Sequence, residues 1–202
     1  MTSTPATRPT INDPRSIVPE PPLAQLLFAD ARTAWLWLVV RIYLAYLWLE
    51  PAFQKLQSPA WTGDKAGSAI LGFVKRALTH TGGEHADVTG WYAAFLQHVV
   101  VPNAAVFSFV ITGGELLVGL GLLLGAFTGI AAFFGLTMNA SYLLGGTVSV
   151  NPILAIIGIF VILAWRNAGW IGLDRYLLPA LGTPWQPGKI GRHDAAPAPA
   201  AS

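Results

Sequence analysis

One arginine and two glutamates stand inside stretches that are otherwise almost wholly apolar. Arg41 and Glu50 interrupt the run from Ala34 to Phe53, and Glu115 is the single charged residue between positions 104 and 144. Burying an ionisable side chain in hydrocarbon costs at least about 2.5 to 3.5 kcal/mol on insertion scales, so each of these groups needs a partner or a task. If the two stretches cross antiparallel, Arg41 and Glu115 each fall roughly 12 to 18 Å from a membrane face at the helical rise, and they meet near the midplane. Two chemistries suit that meeting. One is an ion pair tying two helices together. In the other, Glu115 is a proton-carrying carboxyl beside a bound apolar substrate, its proton affinity set by desolvation against the Arg41 charge.

The remaining polar groups divide in the same way. Glu50 precedes Pro51, which frees a backbone carbonyl one turn earlier. It is either an interface residue paired with Lys55 or part of a cavity mouth. Asn139 lies in an apolar stretch beside Met138 and near Tyr142; an amide there must point inward, to bond a neighbouring helix or a carbonyl of a ligand. His80 and His85 are five residues apart with no acidic third ligand obviously placed, so the spacing speaks against a metal site, and His98 sits at the edge of an aromatic stripe. No histidine falls within an apolar span, which argues against an intrinsic haem. With no cysteine in the chain, disulfides, thiolate nucleophiles and cysteine-ligated clusters cannot be built from it alone.

The elements that must position these groups follow from composition. Of 202 residues, 53% are hydrophobic and only 11% charged, against about 25% charged in an ordinary globular chain. This is the composition of an integral membrane protein. A net charge of +2 from scattered Lys and Arg argues against nucleic acid as a partner. The expected fold is all-α, a polytopic membrane four-helix bundle with spans at about 34–54, 104–125, 129–146 and 150–167. The stretch 104–144 would make a helix of about 60 Å, twice the hydrocarbon thickness, so it must turn back, and Gly125 to Gly129 is the natural corner. Asn151-Pro152 reads as cap and first-turn proline of the last span. Gly121, Gly125 and Gly129 repeat every four residues, as in closely packed membrane helices.

Outside the spans, residues 1–33 read as a disordered tail and lead-in, and 181–202 as a second disordered tail, both rich in Pro and small residues. The first 22 residues hold no apolar core and are not expected to be a secretory signal. The external loop 56–103 holds two amphipathic stripes. Ile70, Phe73, Val74 and Leu78 form one; Trp91, Tyr92, Phe95, Leu96, Val99 and Val100 form the other, with Thr89 as its cap. Both are expected as interfacial helices lying on the membrane surface. Arg8, Arg15, Arg32, Arg166, Arg175, Lys189 and Arg192 flank the terminal side, against Lys55, Lys65, Lys75 and Arg76 on the loop, which places both termini on the cytoplasmic side.

Several blocks together carry a resemblance. RIYLAYLWLEPAFQKLQSPAW, WYAAFLQHVVVPN, GELLVGLGLLLGAFTG, MNASYLLGGTVSVNP and RNAGWIGLDRYLLP occur in that order over roughly residues 34 to 180. The chain resembles the DoxX/DoxD family, whose pattern has an arginine within the first span and a lysine-leucine pair after it, here Arg41, Lys55 and Leu56. Glu50-Pro51-Ala52 departs from that pattern, where a small residue or glycine is more usual. The resemblance implies a multi-pass protein of the bacterial plasma membrane, similar to the small membrane subunit of thiosulfate:quinone oxidoreductase. It further implies a quinone-linked oxidoreductase that oxidises thiosulfate or another small sulfur compound. Quinone is then a substrate, with Glu115 and Arg41 as catalytic residues and Trp48, Glu50, Asn139 and Tyr142 around the quinone. Thiosulfate is a dianion, which Lys65, Lys75 and Arg76 would attract outside. No intrinsic haem, flavin or metal is expected, so electrons would come from a cofactor-bearing protein partner or directly from a bound sulfur substrate. Other relatives suggest the alternative, a non-catalytic scaffold or anchor subunit of an envelope complex, and a homo-oligomer is the further expected association.

Overall fold

The computed structural model describes residues 20–82 and 86–182; the two terminal segments and His85, all of which figure in the sequence reading, lie outside the described residues. The described residues are helical, with no strand among them. The elements are α1 (Pro22–Ala29), α2 (Ala34–Leu56), α3 (Ser68–Leu78), α4 (Gly90–Phe95), α5 (Ala104–Leu124), α6 (Thr128–Leu144), α7 (Asn151–Leu163) and α8 (Asp174–Ala180).

Two helical stretches, Ala31–Leu56 and Gly90–Leu124, are long and apolar enough to cross a membrane by length and composition, while Thr128–Leu144 and Asn151–Leu163 are shorter apolar helices. The four pack in a ring, α2 on α5, α5 on α6, α6 on α7 and α7 back on α2. Trp37, Leu44, Trp48, Val118, Leu122 and Val161 are among the residues of the core they enclose. Close approach depends on small residues at the contacts. A Cβ on Gly119 would fall 2.6 Å from the side chain of Leu49, so the α2–α5 contact is built on that glycine.

The α5–α6 corner falls where the glycines place it. Gly125 ends α5 in the left-handed region, with φ 64°, the conformation in which glycine carries no Cβ penalty. The start of α7 differs from expectation. Pro152 does occupy the first turn, but the cap position is Val150, and Asn151 is already helical, its side-chain amide donating back to Thr147 O at 2.8 Å.

The loop between α2 and α5 is a second layer. The apolar face of α3, with Ile70, Val74 and Ala77 buried, packs against α5 and the segment leading into it rather than facing a lipid surface. The second stripe divides. Tyr92, Leu96 and Val100 join Val88 and Ala104 in this cluster, whereas Trp91, Phe95 and Val99 are exposed. Thr89 makes no side-chain cap bond. From Gly90 the chain runs through a π-turn, Leu96–Val100, and a 3-10 turn, Val101–Asn103, into α5, so the expected separate interfacial helix and span form one helical stretch. Pro102 has no N–H to donate, and just before it the ladder widens, Val101 N–H bonding Leu96 O five residues back.

Residues 22–33, expected as part of an unstructured lead-in, are held against the bundle. Phe28 lies on Trp37 and Phe160. Leu27 O accepts from Trp37 Nε1 at 2.6 Å and Asn167 Nδ2 at 3.0 Å, and Asn167 Nδ2 also reaches Asp30 O and Thr33 Oγ1. At the turn itself, Arg32 donates to the half-buried Asp30 carboxylate and holds its pKa below the usual value.

Candidate functional site

Arg41 and Glu115 do not form a pair. They anchor two separate polar centres at different levels of the bundle, because antiparallel packing of α2 on α5 sets Arg41 beside the C-terminal end of α5, about two turns beyond Glu115.

At the first centre Arg41 is buried and joins two chain segments. Its Nη1 donates to Leu122 O at 2.7 Å and Leu123 O at 3.1 Å, and its Nη2 to Ile171 O at 2.7 Å. The last carbonyls of a helix have no intrahelical partner and carry its negative dipole end, so a buried guanidinium is well placed there. Gly125 makes room for it, since a Cβ at that position would run into the guanidinium. Next to it, buried Asp174 accepts from Phe127 N–H at 2.6 Å and Thr128 N–H at 2.9 Å. The same residue's own N–H bonds Gly125 O at 2.7 Å. Asp174 thus caps α6 from the start of α8, while Arg41 closes the end of α5; together they fasten one corner of the molecule.

The second centre lies where the bundle core meets the α3–α4 layer. Lys55, at the end of α2, donates to Glu115 Oε2 at 2.5 Å, and Tyr142 OH donates to Oε1 at 2.8 Å. Both carboxylate oxygens of the buried Glu115 are therefore engaged, from α2 and α6, so that three helices meet at this residue. Lys55 Nζ also stands 4.9 Å from the Trp61 ring centroid, a cation–π contact that helps replace lost water. Tyr92 OH bonds Ser141 O at 2.8 Å one residue from Tyr142, so the outer layer is tied to α6 at the same level.

The other expected ligand-binding residues are not gathered into one site. Trp48 is buried against α6, its indole 3.3 Å from where a Cβ on Gly135 would stand. Asn139 binds Asn151 O at 2.7 Å through Nδ2 and joins α6 to the start of α7. Its buried Oδ1 has no hydrogen-bond partner among the described residues. Glu50 is not paired with Lys55, one of its two expected settings, because Lys55 turns to Glu115. It is exposed, takes a hydrogen bond from Gln54, and lines an open groove of about 620 Å³ with Gln54, Gln57, Tyr46, Phe53 and Leu123. Of the four residues expected around a quinone, only Glu50 lines that groove, while Tyr142 belongs to the Glu115 centre. Lys65, Lys75 and Arg76 are exposed.

Among the described residues no group of three or more His, Asp or Glu side chains is arranged to hold a metal ion. His80 Nδ1 lies 3.5 Å from Asp87, and His98 Nδ1 contacts Ala94 O at 2.9 Å within its own helix. Asp174 and Asn167 were missed by sequence reasoning. The only signal for Asp174 was an acid in the apolar block WIGLDRYLLP. Asn167 carried none, because its three acceptors belong to residues more than 130 positions away. The chain matches no family model, no curated protein and no solved structure.

Proposed function

We propose that this chain is a multi-pass membrane subunit of a quinone-linked oxidoreductase complex, and that its own part in the complex is anchoring rather than proton or electron transfer. The observation that carries the anchoring role is that the buried charges bond to other helices and segments of this chain. Both Glu115 oxygens are engaged by Lys55 and Tyr142, and Arg41 binds three carbonyls from two segments. Groups bonded in this way fix helices to one another; of the Arg41 guanidinium only Nε, which is buried, is left without a hydrogen-bond partner among the described residues. Membership of a redox complex is supported by the resemblance of the five sequence blocks to the DoxX/DoxD family. In this reading α2, α5, α6 and α7 all cross the bacterial plasma membrane, both termini are cytoplasmic, and a partner protein carries the electron-transfer cofactor.

A second reading has one specific observation in its favour. The groove beside Glu50 is mainly apolar, opens sideways from α2, and offers a carboxylate and two amides. A quinol could enter it from the lipid and donate a hydroxyl to Glu50, with electrons exchanged with the partner. Here the chain docks the quinone at α2 and not between Arg41 and Glu115.

Gentle purification of the tagged chain from its native membrane, with a visible spectrum and mass spectrometry of what accompanies it, tests the first reading. A flavin-, haem- or metal-bearing partner is expected. Glu115→Gln should then lower the amount of assembled complex while quinone turnover per assembled complex stays the same. Full assembly with turnover lost would make Glu115 catalytic and overturn the anchoring role.

A further inference from the structure

The outward face of α2 carries polar residues where lipid would be expected. Tyr46, Glu50, Gln54 and Gln57 recur at intervals of four, four and three, all exposed, and they stand opposite the buried Arg41, Leu44, Ala45, Trp48 and Ala52. α2 packs on α5 and α7 through that buried side, and the four stripe residues remain exposed among the described residues. Glu50 lies six residues before the end of α2, about 9 Å along the axis at the helical rise. A carboxylate and amides turned toward hydrocarbon are costly unless another helix supplies partners.

We propose that the α2 stripe is a self-association surface, and that what covers it is α2 of a second copy of this chain. The inference rests on the membrane reading above and names a partner for the anchor. Two features single out a second copy. First, the stripe contains both halves of its own hydrogen bond. The Gln54 amide donates to Glu50 within one helix. A two-fold axis along the membrane normal, which keeps both copies in the same orientation, sets the same donors and acceptor against each other. Self-complementarity of this kind is what an isologous interface requires. Second, the stripe pairs projections with a recess. Tyr46 and Phe53 are 62% and 50% exposed on the rim of the groove of about 620 Å³ that Leu123 of α5 helps to wall. The projecting rings of one copy have a recess to enter on the other.

The absence of cysteine from the chain makes the test direct, because each introduced cysteine is unique. Phe53→Cys and Gln57→Cys on the stripe, and Ile156→Cys on the exposed side of α7, are placed singly in the full chain in its native membranes. They are then treated with a mild oxidant or a short bis-maleimide. The stripe positions should give a homodimer at least tenfold more efficiently than Ile156→Cys. Adding Glu50→Leu and Gln54→Leu to the Gln57→Cys chain should cut that yield several-fold. Equal yields at all three positions, or none on the stripe of a membrane-inserted chain, would overturn the proposal. So would a stripe adduct with a different protein. Protection of the stripe thiol from maleimide by a fully ring-substituted short-chain quinone, which does not itself add thiols, with no protection at Ile156→Cys and no dimer, would also overturn it and favour the quinone groove. Absence of the chain from the membrane fraction would fail the membrane reading itself, a result separable from an inserted but uncrosslinked chain.

Discussion

Lys55 Nζ and Glu115 Oε2 stand 2.5 Å apart, joining the last turn of α2 to the middle of α5. Glu115 is 3% and Lys55 16% exposed in their side chains, so this is a buried pair in which loss of one partner strands the other. Removing one member of such a pair costs about 3 to 5 kcal/mol, whereas replacing both by well-packed apolar residues can be neutral. Lys55→Met should therefore lower the thermal midpoint in detergent sharply. Lys55→Met with Glu115→Leu should recover much of the loss. A double mutant as unstable as the sum of the two single ones would show that the pair is not coupled.

Arg41 and Gly125 are a second linked pair. Gly125→Ala places a Cβ in the left-handed region and against the guanidinium; the backbone part alone costs about 1 to 2 kcal/mol. Arg41→Lys keeps the charge, but a single ammonium cannot reproduce the fork that reaches Leu122 and Leu123 on one side and Ile171 on the other. Both variants should loosen the segment 171–174 before the bundle as a whole. The readout is hydrogen exchange at Leu173 and Asp174, whose N–H groups bond Leu124 O and Gly125 O. Unchanged protection there in either variant would show that Arg41 does not fasten this corner.

Much of the architecture was legible in the sequence because apolar run length and glycine position control it directly. Helices occur at 34–56, 104–124, 128–144 and 151–163, where the apolar stretches lie, the last ending short of residue 167, and two of the helical stretches are long and apolar enough to cross a membrane; Gly125 marks the corner as expected. The wiring of the charges was not legible. Rise per residue placed Arg41 and Glu115 at comparable depths. It could not show that α5 begins well beyond the end of α2, where it packs on α3, which carries Glu115 toward Lys55 and the end of α5 toward Arg41. The stripe from Trp91 to Val100 gave the helix but not which side faces inward, since its period is consistent with either a lipid surface or a second packed layer. Asp174 was invisible for a different reason. Its task, capping a helix 46 residues away, leaves no local spacing signal.

That cap yields the third prediction. Asp174 accepts from the first two amides around the start of α6, and Phe127 holds a left-handed conformation there, with φ 49°, that a non-glycine residue adopts at some cost. Asp174→Ala should destabilise the protein by about 1 to 2 kcal/mol, at the upper end of what loss of an N-cap costs. Asp174→Asn, which keeps one acceptor oxygen, should cost less. Thermal unfolding of both variants in one detergent checks the order; equal midpoints for Asn and Ala would mean that the carboxylate's bonds are not what holds the turn.

The outer layer supplies the last prediction. α3, α4 and the start of α5 share an apolar cluster, and one polar bond ties that cluster to α6, from Tyr92 OH to Ser141 O at 2.8 Å. Tyr92→Phe keeps the ring and its contacts with Trp91 and Phe95 but deletes the donor, leaving the Ser141 carbonyl short of one partner at a cost of about 1 kcal/mol. Because Ser141 adjoins Tyr142, the loss should be felt at the Glu115 centre as well as in the layer itself. Exchange at α3 amides should speed up severalfold in Tyr92→Phe. Lys55→Met in that background should cost less than it does alone, since the junction it stabilises is already loosened. Strict additivity of the two changes would show that the layer and the Glu115 centre are energetically independent, despite sharing α6.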